Sequence, residues 1–206
     1  MTSPEQTPGS FIHAARRDQL VQSAIAVIAE LGAERASVVR IAQHAGVSRG
    51  VVAYHFHDLA DLYDAVVREV YRIGAEQLSR PVADAPTPRE ALLRFVAGSI
   101  DFYTTFPRHL TALSEIFARR ARDSTEQHQR EVDDVVTLLR AGQAAGQLRA
   151  FDADVMAGIV RGVLDSAVAR LRENTVDVAV LREELVSAVD AMTTAGTNPS
   201  TKERTP

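Results

Sequence analysis

The stretch from Ser37 to Phe56, SVVRIAQHAGVSRGVVAYHF, decides how this chain is to be read. Gly46-Val47-Ser48 divides it into two short segments with helical spacing of apolar residues, Val38 to Ala45 and Arg49 to about Phe56. Gly46 can take the positive φ of a tight turn, and Ser37 and Ser48 stand at N-cap positions. Ala42 falls where the two helices cross, so a larger side chain there would push them apart. Ile41, Ala45, Val47 and Val52 supply the apolar contacts that fix the interhelical angle. With that angle fixed, the second helix protrudes and fits a DNA major groove. An ordinary helical hairpin would need only a glycine and a few valines. The joint presence of the small residue, the turn glycine and the cap serines favours a helix-turn-helix unit.

Charge supports this reading once it is resolved along the chain. The protein has 206 residues, a net charge of −4 and 46% hydrophobic residues. Residues 1–59 nevertheless balance Arg16, Arg17, Arg35, Arg40 and Arg49 against five acids, so the remainder carries the whole negative charge. From Arg35 to His57 there are three arginines, three histidines and no acid, which gives a local positive field on an acidic protein.

Outward from this segment the periodicity is helical throughout, and the fold class is all-α with about nine helices. The first is expected from about Ile12 to Leu31, with Leu20, Ala24, Ile28 and Leu31 on one stripe and Gly32 as a left-handed cap. Asp58 caps a fourth helix ending near Leu78. Arg80 to Pro88 holds three prolines and is the expected internal boundary. Thr87-Pro88-Arg89-Glu90 starts the fifth helix, Phe106-Pro107 breaks it, and the sixth runs to about Arg122. A capping box at Ser124 to Gln127 opens the seventh; Asp152 and Asp177 cap the eighth and ninth. The expected organisation is a flexible arm (1–10), a three-helix DNA-binding head (11–58), and a ligand-binding and dimerisation domain (59–195). Residues 59–78 form its connecting helix, and a disordered tail follows (196–206).

These residues resemble the TetR family of bacterial transcriptional regulators. The resemblance covers the first 60 or so residues: Arg17 to Leu20, Gly32, Ser37 to Ala42, Ala45 to Gly50, Tyr54-His55-Phe56 and Leu62. It implies a homodimeric, ligand-responsive repressor with an N-terminal reading head and a C-terminal effector and dimer domain. Two positions depart from the family. Ala53 stands where a tyrosine is usual, and Leu59 where a lysine is usual. Both usual residues contact phosphate in the family's binding mode, so their loss bears on affinity more than on sequence preference.

Chemistry assigns candidate roles within the head. Arg49, at the exposed end of the recognition helix, is the candidate for bidentate contact to a guanine, with a phosphate clamp as the alternative. Gly50 lets the backbone approach DNA, and Val51 can touch a thymine methyl. Tyr54 and His55 are candidates for phosphate hydrogen bonds, with a structural bond within the head as the alternative for His55. Ser37 and Ser48, with the amides of their helices, can also bind phosphate oxygens, and Arg40 adds charge.

In the acidic part, five of the eleven aromatic residues fall between Phe95 and Phe117. Phe95, Phe102, Tyr103, Phe106 and Phe117 are candidate walls of an effector pocket, with His109, Arg161 and Asp165 as its polar groups. Ordinary core packing is the alternative for each aromatic, and an exposed ion pair the alternative for Arg161 and Asp165. Gly158, Gly162, Asp165 and Ala169 form a stripe of small or short residues on the eighth helix, and Leu181, Leu185, Val189 and Met192 an apolar stripe on the ninth. Either both stripes pack within one subunit or they form the twofold interface that the family uses.

Other classes fit less well. The sequence has no cysteine, no HExxH, no phosphate-binding glycine loop and no GxSxG elbow, so catalytic residues, metal ligands and cofactors are none. No apolar run approaches a membrane span and no signal peptide is evident, so the expected location is cytoplasmic. Double-stranded DNA, a second copy of the chain and a small, mainly apolar effector are the expected partners. The competing reading is a helical protein-interaction module that has lost operator binding.

Overall fold

The computed structural model describes residues 8–119 and 126–194. All regular structure among them is helical: α1 (Pro8–Leu31), α2 (Val38–Ala45), α3 (Arg49–His55), α4 (Leu59–Ala83), α5 (Pro88–Thr105), α6 (Pro107–Arg119), α7 (Glu126–Ala144), α8 (Ala153–Glu173) and α9 (Val178–Thr193). The chain divides into two compact units. One comprises the residues up to Gly74 together with α6; the other comprises Ala75–Thr104 and the chain from 128 onward.

In the first unit Leu20, Ala24 and Ile28 of α1 are fully buried, on the stripe that the sequence marks. They pack with Ile41, Val52, Leu62, Val66 and the α6 residues Ala112 and Ile116 in one core. Each large aliphatic side chain so buried contributes about 1.5–3 kcal/mol. Gly32 ends α1 at φ 81°, and the loop after it is held from two sides. Tyr63 on α4 donates to the Ala33 carbonyl at 2.7 Å, and Arg119 on α6 donates to the same oxygen at 3.4 Å.

The second unit buries Leu92, Phe95, Val96 and Ile100 of α5 with Leu139 of α7 and Met156, Val160 and Leu164 of α8. The expected caps form: Asp152 accepts from Asp154 and Val155, Asp177 from Ala179 and Val180, and the Thr87 hydroxyl from Glu90. A bidentate pair between Arg89 and Asp190 ties α5 to α9.

Two expectations are corrected here. α1 begins at Pro8, a turn earlier than Ile12, so residues 8–10 are helical; proline, which lacks an N–H, costs no hydrogen bond in a first turn because the N–H groups there have no intrahelical acceptor. α4 passes through Pro81 to Ala83 and does not end near Leu78. The proline removes only the bond to the Gln77 carbonyl, and Gln77 is exposed, so water can satisfy that oxygen. Of the α9 stripe, Leu181 and Val189 are buried within the chain itself, while Leu185 and Met192 are half-buried. The arm before residue 8, the cap at Ser124 and the tail from 196 lie outside the described residues.

Candidate nucleic-acid interface

The turn of the helix-turn-helix forms as its residues require. The Ser37 side chain accepts from the Arg40 amide at 3.3 Å and caps α2. Gly46 takes φ 67°, ψ 31°, and its N–H returns to the Ala42 and Gln43 carbonyls. The Val47 amide bonds the Ala42 carbonyl at 3.0 Å, so the end of α2 is satisfied without any cost to a side chain at positive φ. Ile41, Ala42, Ala45 and Val52 are buried between the helices, and Val47 is half-buried. The Gln19 amide on α1 donates to the Ala45 carbonyl at 3.0 Å and fixes α2 on α1.

What this frame presents is a polar, acid-free edge. Arg40, Ser48, Arg49, Gly50 and Tyr54 are exposed, and Ser37 and Val51 are half-exposed. Ser48 occupies the N-cap position of α3, but its side chain makes no capping bond, which leaves the hydroxyl available to a ligand. Arg49 forms no ion pair among the described residues. A Cβ placed on Gly50 would meet only the Ser48 Oγ, at an ordinary 3.7 Å. The protein's own packing therefore does not require glycine there. Arg35 is otherwise occupied: its Nε donates to the Leu31 carbonyl at 2.7 Å and closes α1.

The α3–α4 junction explains how acidity resumes without disturbing that edge. Asp58 accepts from the Asp61 amide at 2.8 Å, and Asp61 accepts from the His57 amide at 3.2 Å, a reciprocal cap at the start of α4. The Asp61 amide and then the His57 ring hold the Asp58 carboxyl below the usual carboxylate range. Leu59, in the position where the resemblance would expect lysine, is half-buried, and Ala53 is exposed.

The far end of α3 carries a cluster that the sequence reading did not assemble. The His13 ring on α1 lies 4.3 Å from the His55 ring, centre to centre, and 5.6 Å from the Tyr54 ring, which it meets edge-on. Tyr54 in turn meets His55 edge-on at 5.1 Å, and the Arg17 guanidinium sits 4.5 Å above the Phe56 ring. One signal was present: His13, Arg16 and Arg17 are spaced three and four apart, hence on one face of α1.

The effector candidates separate between the units. Phe95, Phe102 and Tyr103 of α5 and Arg161 of α8 are buried in the second unit. Arg161 pairs with the exposed Asp165 at 3.3 Å. Phe106, His109 and Phe117 are half-buried and belong to the first unit, with the Phe106 and His109 rings edge-on at 5.4 Å. Burial lowers the His109 pKa, against a smaller opposing effect of Glu69. The second unit also has a groove of about 510 Å³ between α5 and α9, lined by Leu93, Arg94, Ala97, Arg182 and Val186 among others. It lies across α5 from Phe95 and Phe102 and includes none of the candidates.

Residues 20–66 match the sequence pattern of the bacterial regulatory proteins of the tetR family. The chain is 37% identical over 95 residues to the HTH-type transcriptional regulator BetI of Stenotrophomonas maltophilia, covering 46% of this chain and 48% of that one. It spans about half the length of the curated relatives it matches. Among solved structures, a Rhodococcus protein described as a TetR-family regulator superposes with a TM-score of 0.78 at 22% identity, covering 86% of this chain and 98% of that one. The fatty acid degradation regulator FadR of Bacillus halodurans superposes with a TM-score of 0.75 at 20% identity, covering 90% and 96%. At such identities the structural likeness establishes the fold alone.

Proposed function

We propose, for a chain whose residues 20–66 belong to the tetR family of bacterial regulatory proteins, that it is a sequence-specific DNA-binding transcriptional repressor. It acts as a homodimer on an inverted repeat and is released by a small, mainly apolar effector. One observation carries the reading: α3 is held by buried residues on one side and turns Arg49, Gly50 and Tyr54, all exposed, outward from the acid-free stretch Arg35–His57. Arg49 reads a guanine edge, Val51 a thymine methyl, and Ser37, Arg40, Ser48, Tyr54 and His55 hold phosphates. Selection of bound sequences from a random duplex pool, followed by footprinting, tests it. The expected product is two half-sites related by a twofold, with centres ~34–36 Å apart or a multiple of that. Protection of a single unrepeated site by a monomer overturns it. A module that had lost operator binding would show no salt-dependent affinity for duplex DNA at all.

Gly50→Ala separates the role of the backbone from the stability of the head. Because a Cβ is accommodated there, the alanine should raise stability by roughly 0.5–1 kcal/mol through helix propensity. Operator affinity should fall, because the added methyl stands between the backbone and the DNA. Thermal melting and a binding isotherm on the same sample measure the two opposite signs. Unchanged affinity would show that α3 does not approach DNA at this residue.

For the effector, the buried α5 aromatics Phe95, Phe102 and Tyr103 supply the apolar wall and Arg161 a polar group. Phe106, His109, Phe117 and Asp165 are the remaining candidates. Coupling is reciprocal, so an effector that weakens operator binding by some factor binds the DNA complex more weakly by that factor. Phe102→Ala should impair release by the effector while operator affinity stays nearly unchanged. If the substitution instead simply lowers the melting temperature without altering release, Phe102 is core.

A further inference from the structure

His55 has a feature that the phosphate-contact role alone does not use: its Nδ1 is buried and has no hydrogen-bond partner among the described residues. A neutral imidazole with its proton on Nε2 leaves only an acceptor nitrogen inside, whereas an imidazolium would bury an unpaired N–H. The groups facing this ring are His13, Arg16 and Arg17 on α1 and Tyr54 on its own helix. Burial first, then His13, Arg17 and Arg16, hold the His55 pKa below the ordinary histidine value. Above the ordinary histidine pKa the ring is therefore neutral in the free protein, and it lies tilted against the His13 ring with centres 4.3 Å apart.

Resting on the reading of this head as a DNA-binding surface, we infer that His13 is a positioning residue for Tyr54 and His55, and that the His13–His55 pair takes up a proton when a duplex phosphate docks against it. A phosphate supplies the negative charge that the cluster lacks. It favours an imidazolium in a place where three cationic or titratable neighbours on α1 otherwise oppose one. His13 holds the His55 ring through this tilted contact, so the proton enters a prearranged site and turns a neutral hydrogen bond into a charge-assisted one. Proton uptake on binding makes affinity rise as pH falls, by up to about tenfold per pH unit for one proton. The sign is opposite to that of head stability. A histidine with a depressed folded-state pKa adds stability above its unfolded pKa and loses it as pH falls through the folded value.

The test uses a fluorescent random-sequence duplex at low, fixed salt, with binding of the full chain measured from slightly alkaline to slightly acid pH. The parent protein should bind several-fold more tightly per pH unit on acidification. His13→Phe keeps a ring against His55 but cannot titrate, and its slope should be at least halved; His13→Gln should flatten it similarly. A slope in His13→Phe equal to that of the parent overturns the inference while leaving DNA binding intact. Absence of binding at every pH overturns the DNA-binding reading itself. Should the variants not fold, NMR titration of His13 and His55 in the parent decides the matter: one of the two pKa values must rise when duplex is added, and an unmoved pair overturns the inference.

Discussion

Gly162→Arg is expected to leave the protein folded, convert it from dimer to monomer and weaken operator binding by ~10²–10⁴-fold, the drop that follows when a second linked binding event is removed. On α8, Val155, Gly158, Gly162, Asp165 and Ala169 recur at spacings of three and four, with Ile159 beside them, and all are exposed. Val155, in the first turn, and Ile159, a turn later, are large β-branched side chains left 63% and 43% exposed. A Cβ built on Gly158 or Gly162 meets nothing within 4 Å in the chain itself. An arginine at 162 therefore costs the single subunit nothing in packing, while at a twofold where helices approach closely it cannot be accommodated. Sedimentation gives the mass, melting controls for the fold, and a binding isotherm reads the affinity. A variant that remains dimeric with full affinity, or a parent protein that is monomeric, would place the interface elsewhere.

How much of this was readable in advance depends on how local each cause is. The helix-turn-helix was legible because its determinants lie within one or two turns of each other: the Ser37 cap, the αL glycine at 46 and the buried set around Ala42. The continuation of α4 through Pro81 was not, because the cost of that proline depends on whether water reaches the Gln77 carbonyl. Periodicity identified the α9 stripe but could not name its partner; Leu181 and Val189 prove to be covered within the chain. Likewise the aromatic cluster from Phe95 to Phe117 is contiguous in sequence, yet the break at Phe106-Pro107 assigns its two ends to different compact units. Ser48 occupies a cap position without capping, since position alone does not orient a hydroxyl. The His13–His55 contact joins helices 42 positions apart, and only the cationic face of α1 announced it.

Arg49→Ala is expected to cost about 1–3 kcal/mol at each half-site and to relax base preference at one position in each. In a dimer the arginine is removed twice, so a factor of ten at one half-site becomes about a hundredfold over the operator when the half-sites act independently. Arg49 is suited to discrimination because it is exposed in the first turn of α3 and has no carboxylate partner among the described residues. Among the described residues nothing competes for its fork of donors. A guanine presents O6 and N7 to that fork in the major groove, whereas a phosphate would take the same guanidinium without regard to sequence. The two roles differ in a measurable way. Replacing a guanine reader by alanine lowers affinity for the selected operator far more than for random duplex. Replacing a phosphate clamp lowers both alike and makes the dependence of log K on log salt shallower by ~0.9 for each phosphate no longer neutralised. Measuring parent and variant on both duplexes across a salt series therefore assigns the residue. If Arg49→Ala leaves operator affinity, base preference and salt slope all unchanged, α3 is not the reading helix.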